Sequence, residues 1–108
     1  MNSKRKGNLG ELELLHLLEA AGLDVQRNQQ AGVGGIDNPD IALQHKGRRY
    51  HLEVKRKESL SVYQAMEQAI ADANGHAVPL VVHRRNRKPW IVIMRLGDFL
   101  GMICGGDG

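Results

Sequence analysis

Ile36-Asp37-Asn38-Pro39-Asp40-Ile41-Ala42-Leu43-Gln44-His45, then Lys46-Gly47, then Arg48-Arg49-Tyr50-His51-Leu52-Glu53-Val54-Lys55, is the stretch on which the fold turns. Ile41–His45 reads as one strand, Lys46-Gly47 as a two-residue turn, and the segment through Lys55 as the returning strand. Side chains alternate along a strand. Glu53 and Lys55 therefore share one face, while Tyr50, Leu52 and Val54 point the other way, into a core. A hairpin centred on Lys46-Gly47 pairs His45 with Arg48, and the same register carries Asp40 opposite Glu53.

Two carboxylates directly opposite in a hairpin repel, and selection for stability alone would avoid the pair. A divalent cation between them reverses the sign of that interaction. Hard ions such as Mg2+ take carboxylate oxygens and keep several waters. Lys55, one strand repeat along the same face, is placed to hold or deprotonate one of those waters. This pattern points to metal-assisted hydrolysis of a phosphodiester. The plain alternative is a polar sheet edge with a Glu53–Lys55 neighbour pair.

Upstream, a helix is expected from about Asn8 to Ala21, stopped by Gly22, after a polar, basic lead-in at residues 1–7. At about 100° per residue, Leu14, Leu15 and Leu18 fall within about 60° of Glu11, and Glu13, His16 and Ala20 fall opposite. Glu11 is thus a carboxylate on the apolar stripe, which needs a partner if buried. The bland reading puts it at the frayed end of that stripe. Glu13 reads as an ordinary solvent-facing acid. Asp24–Asn28 is a short strand, and Gln29–Asn38, with Gly32, Gly34 and Gly35, is a loop able to lie close to a substrate backbone. It lacks the lysine and the strand–helix context of a phosphate-cradling loop. Asp37 is a second choice to Asp40, because its parity and offset do not fit the register.

Downstream, Ser61–Asn74 is a second helix with Val62, Met66, Ala69, Ile70 and Ala73 on its apolar side and Asn74-Gly75 as its end. Ser61 and Gln64 have the spacing of a capping box, the alternative for Gln64 being a place in the site. Leu80–Val82 is a buried strand, His83–Lys88 a basic turn, Trp90–Met94 a further strand, and Asp98–Ile103 a short helix. Gly105–Gly108 reads as a loose tail.

The 108 residues suit a single domain of modest core, with a dimer no surprise. Net charge is +3, gathered at Lys4-Arg5-Lys6, Arg48-Arg49, Arg56-Lys57, and Arg84-Arg85 with Arg87-Lys88. These clusters suit a polyanion, and DNA is the expected partner, with those residues as its phosphate contacts. A single cysteine, Cys104, excludes a disulfide framework and a cysteine-based zinc site. No apolar run is long enough to span a membrane and the N-terminus lacks a signal-peptide pattern, so a cytoplasmic protein is expected. Ser59 and Ser61 have no adjacent base, and none of the five histidines has metal-helix spacing.

Lys6-Gly7-x-x-x-Glu11, Pro39-Asp40 and Glu53-Val54-Lys55 together resemble the PD-(D/E)xK nuclease superfamily, and within it the archaeal-type Holliday junction resolvases and their phage-borne relatives. The likeness runs over about residues 3–83, in the order helix, three strands, helix, strand. It implies an α/β, restriction-endonuclease-like fold: a mixed central sheet flanked by helices. It further implies a Mg2+- or Mn2+-dependent endonuclease, with Asp40 and Glu53 as metal ligands, the Val54 carbonyl as a further ligand, and Lys55 at the attacking water. Glu11 would be an additional acid, binding metal directly or through water. Four-way junctions in a bacterial or phage-infected cell would be the substrate, and a homodimer the working form. Where those resolvases carry a serine in the glycine loop, this chain has Ala31 and Gly32. The alternatives are a nicking or repair-type phage nuclease and a non-catalytic DNA-binding module.

Overall fold

The computed structural model describes residues 3–27 and 40–105, with side chains from Leu9 onward and excluding that of Asp40. The glycine loop Gln29–Asn38, with Asp37, Ala31 and Gly32, lies outside the described residues. So do Pro39, residues 106–108, and the side chains of Lys4, Arg5 and Lys6.

Helix α1 (Ser3–Ala20) precedes three strands, β1 (Asp24–Arg27), β2 (Asp40–His45) and β3 (Arg48–Arg56). Helix α2 (Val62–Ala73), strands β4 (Val78–Arg84) and β5 (Ile91–Ile93), and helix α3 (Leu96–Cys104) follow. The five strands form one sheet in chain order. Only β3 and β4 run parallel; the other pairs are antiparallel. The parallel pair needs a crossover, which α2 supplies.

The hairpin forms as its turn chemistry requires. Lys46 (φ 52°) and Gly47 (φ 76°) both take positive φ, the conformation whose twist matches a two-residue hairpin. The register then runs from His45 opposite Arg48 to Asp40 opposite Glu53. A one-residue slip would turn Glu53 and Lys55 toward the α1 core.

Each face of the sheet has its own core. Leu14 on α1 packs with Ile41, Leu52, Val54 and Val82, and Leu15, Leu18 and Trp90 close its margin. On the other face, Ala65, Met66 and Ala69 of α2 lie against Val81. Val81 is the β4 partner of Glu53, so α2 covers the Glu53 face and α1 the Leu52 face. The helix α1 ends as its Gly22 signal requires: Leu23 N–H donates to Leu18 and Gly22 N–H to Glu19.

Several expectations are corrected. The lead-in is helical from Ser3, because Lys4-Arg5-Lys6 continue the periodicity of good helix formers. The second helix opens without the capping box: Ser61 makes no side-chain cap hydrogen bond, and its carbonyl instead accepts from Ala65 N–H at 3.0 Å. Exposed first-turn N–H groups can be satisfied by water, which removes the need for the side chain. Val62 is exposed and Ala65 takes its place in the core. Strand β4 continues through His83 and Arg84, β5 is shorter than Trp90–Met94, and α3 is longer than Asp98–Ile103.

Candidate functional site

Glu53 lies in the middle of β3, between β2 and β4, and is 0% exposed. Its strand neighbours on the same face are His51 and Lys55, both half-buried. Lys55 Nζ stands 3.5 Å from Glu53 Oε2, and His51 Nε2 stands 3.8 Å from Glu53 Oε1. The ammonium group is held from the other side by Gln68 of α2, whose Oε1 accepts from Nζ at 3.2 Å. One turn further along α2, Asp72 brings a second carboxylate to the group. A ligand atom from each of His51, Glu53 and Asp72 lies within 4.8 Å of the other two, a set that could hold a metal ion.

The electrostatics of this set are unfavourable as they stand. Desolvation first, and then the Glu53 charge, push the Asp72 carboxyl above the ordinary aspartate range, with His51 and Lys55 opposing. Two carboxylates stand side by side in this cluster, Glu53 fully buried and Asp72 exposed. A set of two carboxylates and an imidazole fits the donor preferences of a divalent cation. Asp40 occupies the register position opposite Glu53.

The way in is polar. On the Glu53 face, Asp24, Gln26, Ala42, Gln44 and Arg49 form an exposed floor beyond the edge of α2. A cleft of about 420 Å³ over this floor reaches His51 and Asp72.

Glu11 is equally buried, at 0% exposure, but it hangs from α1 over the other face. It is ion-paired to Arg27, the last residue of β1. Arg27 stands opposite Ile41 in the register, so the pair sits beside the Asp40 end of β2. Desolvation raises the Glu11 carboxyl above its ordinary range although Arg27 works against it. Among the described residues, Glu11 does not join the group of His51, Glu53 and Asp72. Just before it, Gly10 permits close packing: a Cβ there would fall 2.5 Å from the Arg56 Cβ.

The basic residues divide into two kinds. Arg84 donates to Glu13 Oε1 at 2.5 Å and to the Lys88 carbonyl at 2.7 Å, and Trp90 Nε1 donates to the same Glu13 oxygen at 2.9 Å. Glu13 faces solvent as expected and also cross-links α1 to the β4–β5 hairpin. Arg56 is half-buried beneath α1, and Arg48 is half-buried on β3. Arg49, Lys57, Arg85, Arg87 and Lys88 are exposed. The hairpin turn that carries the last three is pinned by Glu58, whose Oε2 accepts from Asn86 N–H at 2.8 Å.

Four site residues carry no decisive signal in the sequence. His51 shares the parity of Glu53, and that was legible. Arg27 closes a short strand without marking itself. Gln68 and Asp72 lie one turn apart on the flank of α2, and only the packing of α2 on β3 brings them to the site.

A mixed sheet with an acid pair across one hairpin, a lysine beside it, and helices on both faces defines the restriction-endonuclease-like class. Residues 2–103 match the family described as "Phage putative PDDEXK endonuclease", and the chain belongs to that family. Seven chains of known structure match. One is Archaeoglobus fulgidus Hjc, a Holliday junction resolvase from an archaeal hyperthermophile, similar at 25% identity and a TM-score of 0.61 over 82% of this chain and 72% of that one. Comparison with curated proteins gives no match. No helix among the described residues is long and apolar enough to cross a membrane.

Proposed function

We propose that this chain is a Mg2+- or Mn2+-dependent endonuclease acting on DNA, selective for four-way junctions and working as a homodimer. The observation that carries the reading is the register of Asp40 opposite Glu53, with Lys55 on the Glu53 face and tethered by Gln68. Family membership supports phosphodiester cleavage. The likeness to a Holliday junction resolvase supports the branched substrate.

In this reading Asp40 and Glu53 hold the cation, the Val54 carbonyl lies beside it, and Asp72 and His51 complete its surroundings from the α2 side. When bound, the cation polarises the phosphoryl oxygen, lowers the pKa of a bound water and offsets charge on the departing 3′ oxygen. Lys55 orients the attacking water and adds positive charge near the phosphate. Gln68 keeps the Lys55 ammonium from collapsing wholly onto Glu53. Glu11, paired with Arg27 beside the Asp40 end, acts as an outer acid through water. Arg49, Lys57, Arg85, Arg87 and Lys88 grip phosphates without reading bases, joined by Lys4, Arg5, Lys6, Arg48, Arg56 and Arg84.

The test is cleavage of synthetic four-way junction, flap, nicked and linear duplex DNA with Mg2+ or Mn2+. Preferential cutting of the junction, lost in Asp40→Ala and Glu53→Ala, is the expected result. Equal cutting of all four substrates would reduce the reading to a nicking or repair-type nuclease. Tight DNA binding with no product under either metal would leave only a binding module.

A further inference from the structure

The two carboxylate oxygens of Glu53 are not used alike. Oε2 stands 3.5 Å from Lys55 Nζ, which Gln68 holds from the far side, so this oxygen belongs to the lysine. Oε1 turns the other way and stands 3.8 Å from His51 Nε2. That distance is beyond hydrogen-bond reach. It is also shorter than the roughly 4.5 Å spanned by two groups that share one bridging water. Two atoms that each bind one ion at about 2.1 Å lie roughly 3.0 Å apart when adjacent in its shell and about 4.2 Å apart when opposite. The His51–Glu53 separation falls inside that interval.

Asp72 completes a triangle. One ligand atom from each of His51, Glu53 and Asp72 lies within 4.8 Å of the other two. Two of these residues come from alternate positions on β3 and one from α2, so the triangle is held by the packing of a helix on a sheet. Ala42, the β2 partner of His51, adds only a methyl group beside the imidazole. The cleft of about 420 Å³ is lined by both His51 and Asp72, which gives an ion a path from solvent to the buried Glu53.

We propose that His51, Glu53 Oε1 and Asp72 form a transition-metal site, whose imidazole donor selects Mn2+, Co2+ or Ni2+ over Mg2+ and Ca2+. Donor chemistry decides the class of ion. Mg2+ and Ca2+ take oxygen donors, and Mg2+ keeps several of its waters. An imidazole nitrogen in place of one oxygen favours first-row transition ions, whose affinity rises from Mn2+ through Co2+ to Ni2+. An all-oxygen set of carboxylates and waters carries no such preference. This site deepens the nuclease reading above, because Glu53 is common to both, but the choice of ion follows from His51 and is read without DNA.

The test uses the DNA-free protein and the metal salts themselves. Titration with Mn2+, followed by the paramagnetic resonance of the free ion, and competition with Mg2+ give both affinities. Mn2+ should bind at least about 10-fold tighter than Mg2+, and Co2+ tighter again. The electron spin-echo spectrum of bound Mn2+ should show coupling to an imidazole nitrogen. His51→Asn should abolish that coupling and weaken Mn2+ by about 10–100-fold, while Mg2+ affinity stays within a few-fold. His76→Asn changes the other histidine that lines the cleft and should leave the coupling intact. The wild-type spectrum reads nitrogen ligation directly, so the test does not depend on either variant folding.

Bound Mn2+ without nitrogen coupling overturns the proposal. So does equal affinity for Mn2+ and Mg2+, or coupling that survives in His51→Asn. Nitrogen coupling with the expected affinities, but no cleavage of any DNA, would leave this site standing and sink the nuclease reading alone. Cleavage supported by an ion that shows no nitrogen ligand would do the reverse.

Discussion

Glu11 and Glu53 are both fully buried carboxylates, one on each face of the same sheet, and they differ in what surrounds them. Glu11 has an arginine of its own. Glu53 shares its lysine with Gln68 and faces a second carboxylate, Asp72, across a gap of a few ångströms. The Arg27 pair brings one positive charge to one negative charge, as a structural ion pair does. The Glu53 cluster instead brings a second carboxylate, Asp72, up to the first. Burial of an acid therefore does not identify a site. A buried acid with a second, solvent-exposed acid set against it does, because that repulsion survives selection only where something else relieves it.

The comparison predicts an unequal response to mutation. Glu53→Ala should reduce cleavage by more than about 10³-fold, since it removes the acid common to both carboxylate pairs, while DNA affinity stays within a few-fold. Single-turnover cleavage and a binding titration separate the two effects. If affinity falls as far as rate, Glu53 is a binding residue and the contrast with Glu11 fails.

Asp72→Asn should lower turnover by about 10–100-fold through weaker metal binding, seen as a shift in the Mn2+ titration. The same change should raise the melting temperature of the metal-free protein by about 1–2 °C at most, because solvent screens the repulsion between the exposed Asp72 and Glu53. The pH dependence has a definite sign. An acid whose folded pKa is raised contributes stability below its unfolded pKa and loses it as pH rises through the folded value. The stabilising effect of Asp72→Asn is therefore largest at neutral pH. It should vanish as pH falls through the raised Asp72 pKa to its ordinary value of 3.8. A melting series against pH that stays flat would remove Asp72 from the cluster.

Glu11→Gln should cost about tenfold in rate at most. Its clearer effect is on stability, about 1–2 kcal/mol, because Arg27 loses its counter-charge but remains partly open to water. Chemical denaturation and kinetics on one preparation give both numbers. A rate loss as large as that of Glu53→Ala would mean that Glu11 reaches the cation directly. Gln68→Ala, the mildest change, should slow cleavage by a few-fold, with its signature in the rate rather than in DNA affinity, since Gln68 only positions Lys55.

Much of this was legible beforehand for a physical reason. Strand parity and the two-residue turn are local rules. Lys46-Gly47 centres the hairpin, and from there the pairing of Asp40 with Glu53 follows without further information. The stripe of Glu11, Leu14, Leu15 and Leu18 is likewise a matter of helical spacing, and Glu11 and Leu14 are buried on it. Ser61 shows the limit of local rules. Its spacing to Gln64 allowed a capping box, yet the helix opens in contact with water and the side chain does not form the cap.

Residues that meet only across elements could not be read in this way. Asp72 is nineteen positions beyond Glu53 and on a helix whose tilt no local pattern states. Glu13 is a surface acid by its place on the helix, and only the fold brings Arg84 and Trp90 to it from the far hairpin. Apolar spacing in Leu96–Cys104 announces a helix with a packing face, but not that the described residues bury none of it.

By itself the sequence determined the hairpin register, the faces of Glu53 and Lys55, and the buried stripe of the first helix, because these depend on periods of two and 3.6 residues and on a turn only a few residue types accept. Tertiary structure alone decided which helix lies over which face. With that it decided that Arg27 neutralises Glu11, that Asp72 and Gln68 join Glu53 and Lys55, and that α3 stays open. Those outcomes depend on how whole apolar faces fit together in space, and sequence distance carries no measure of that fit.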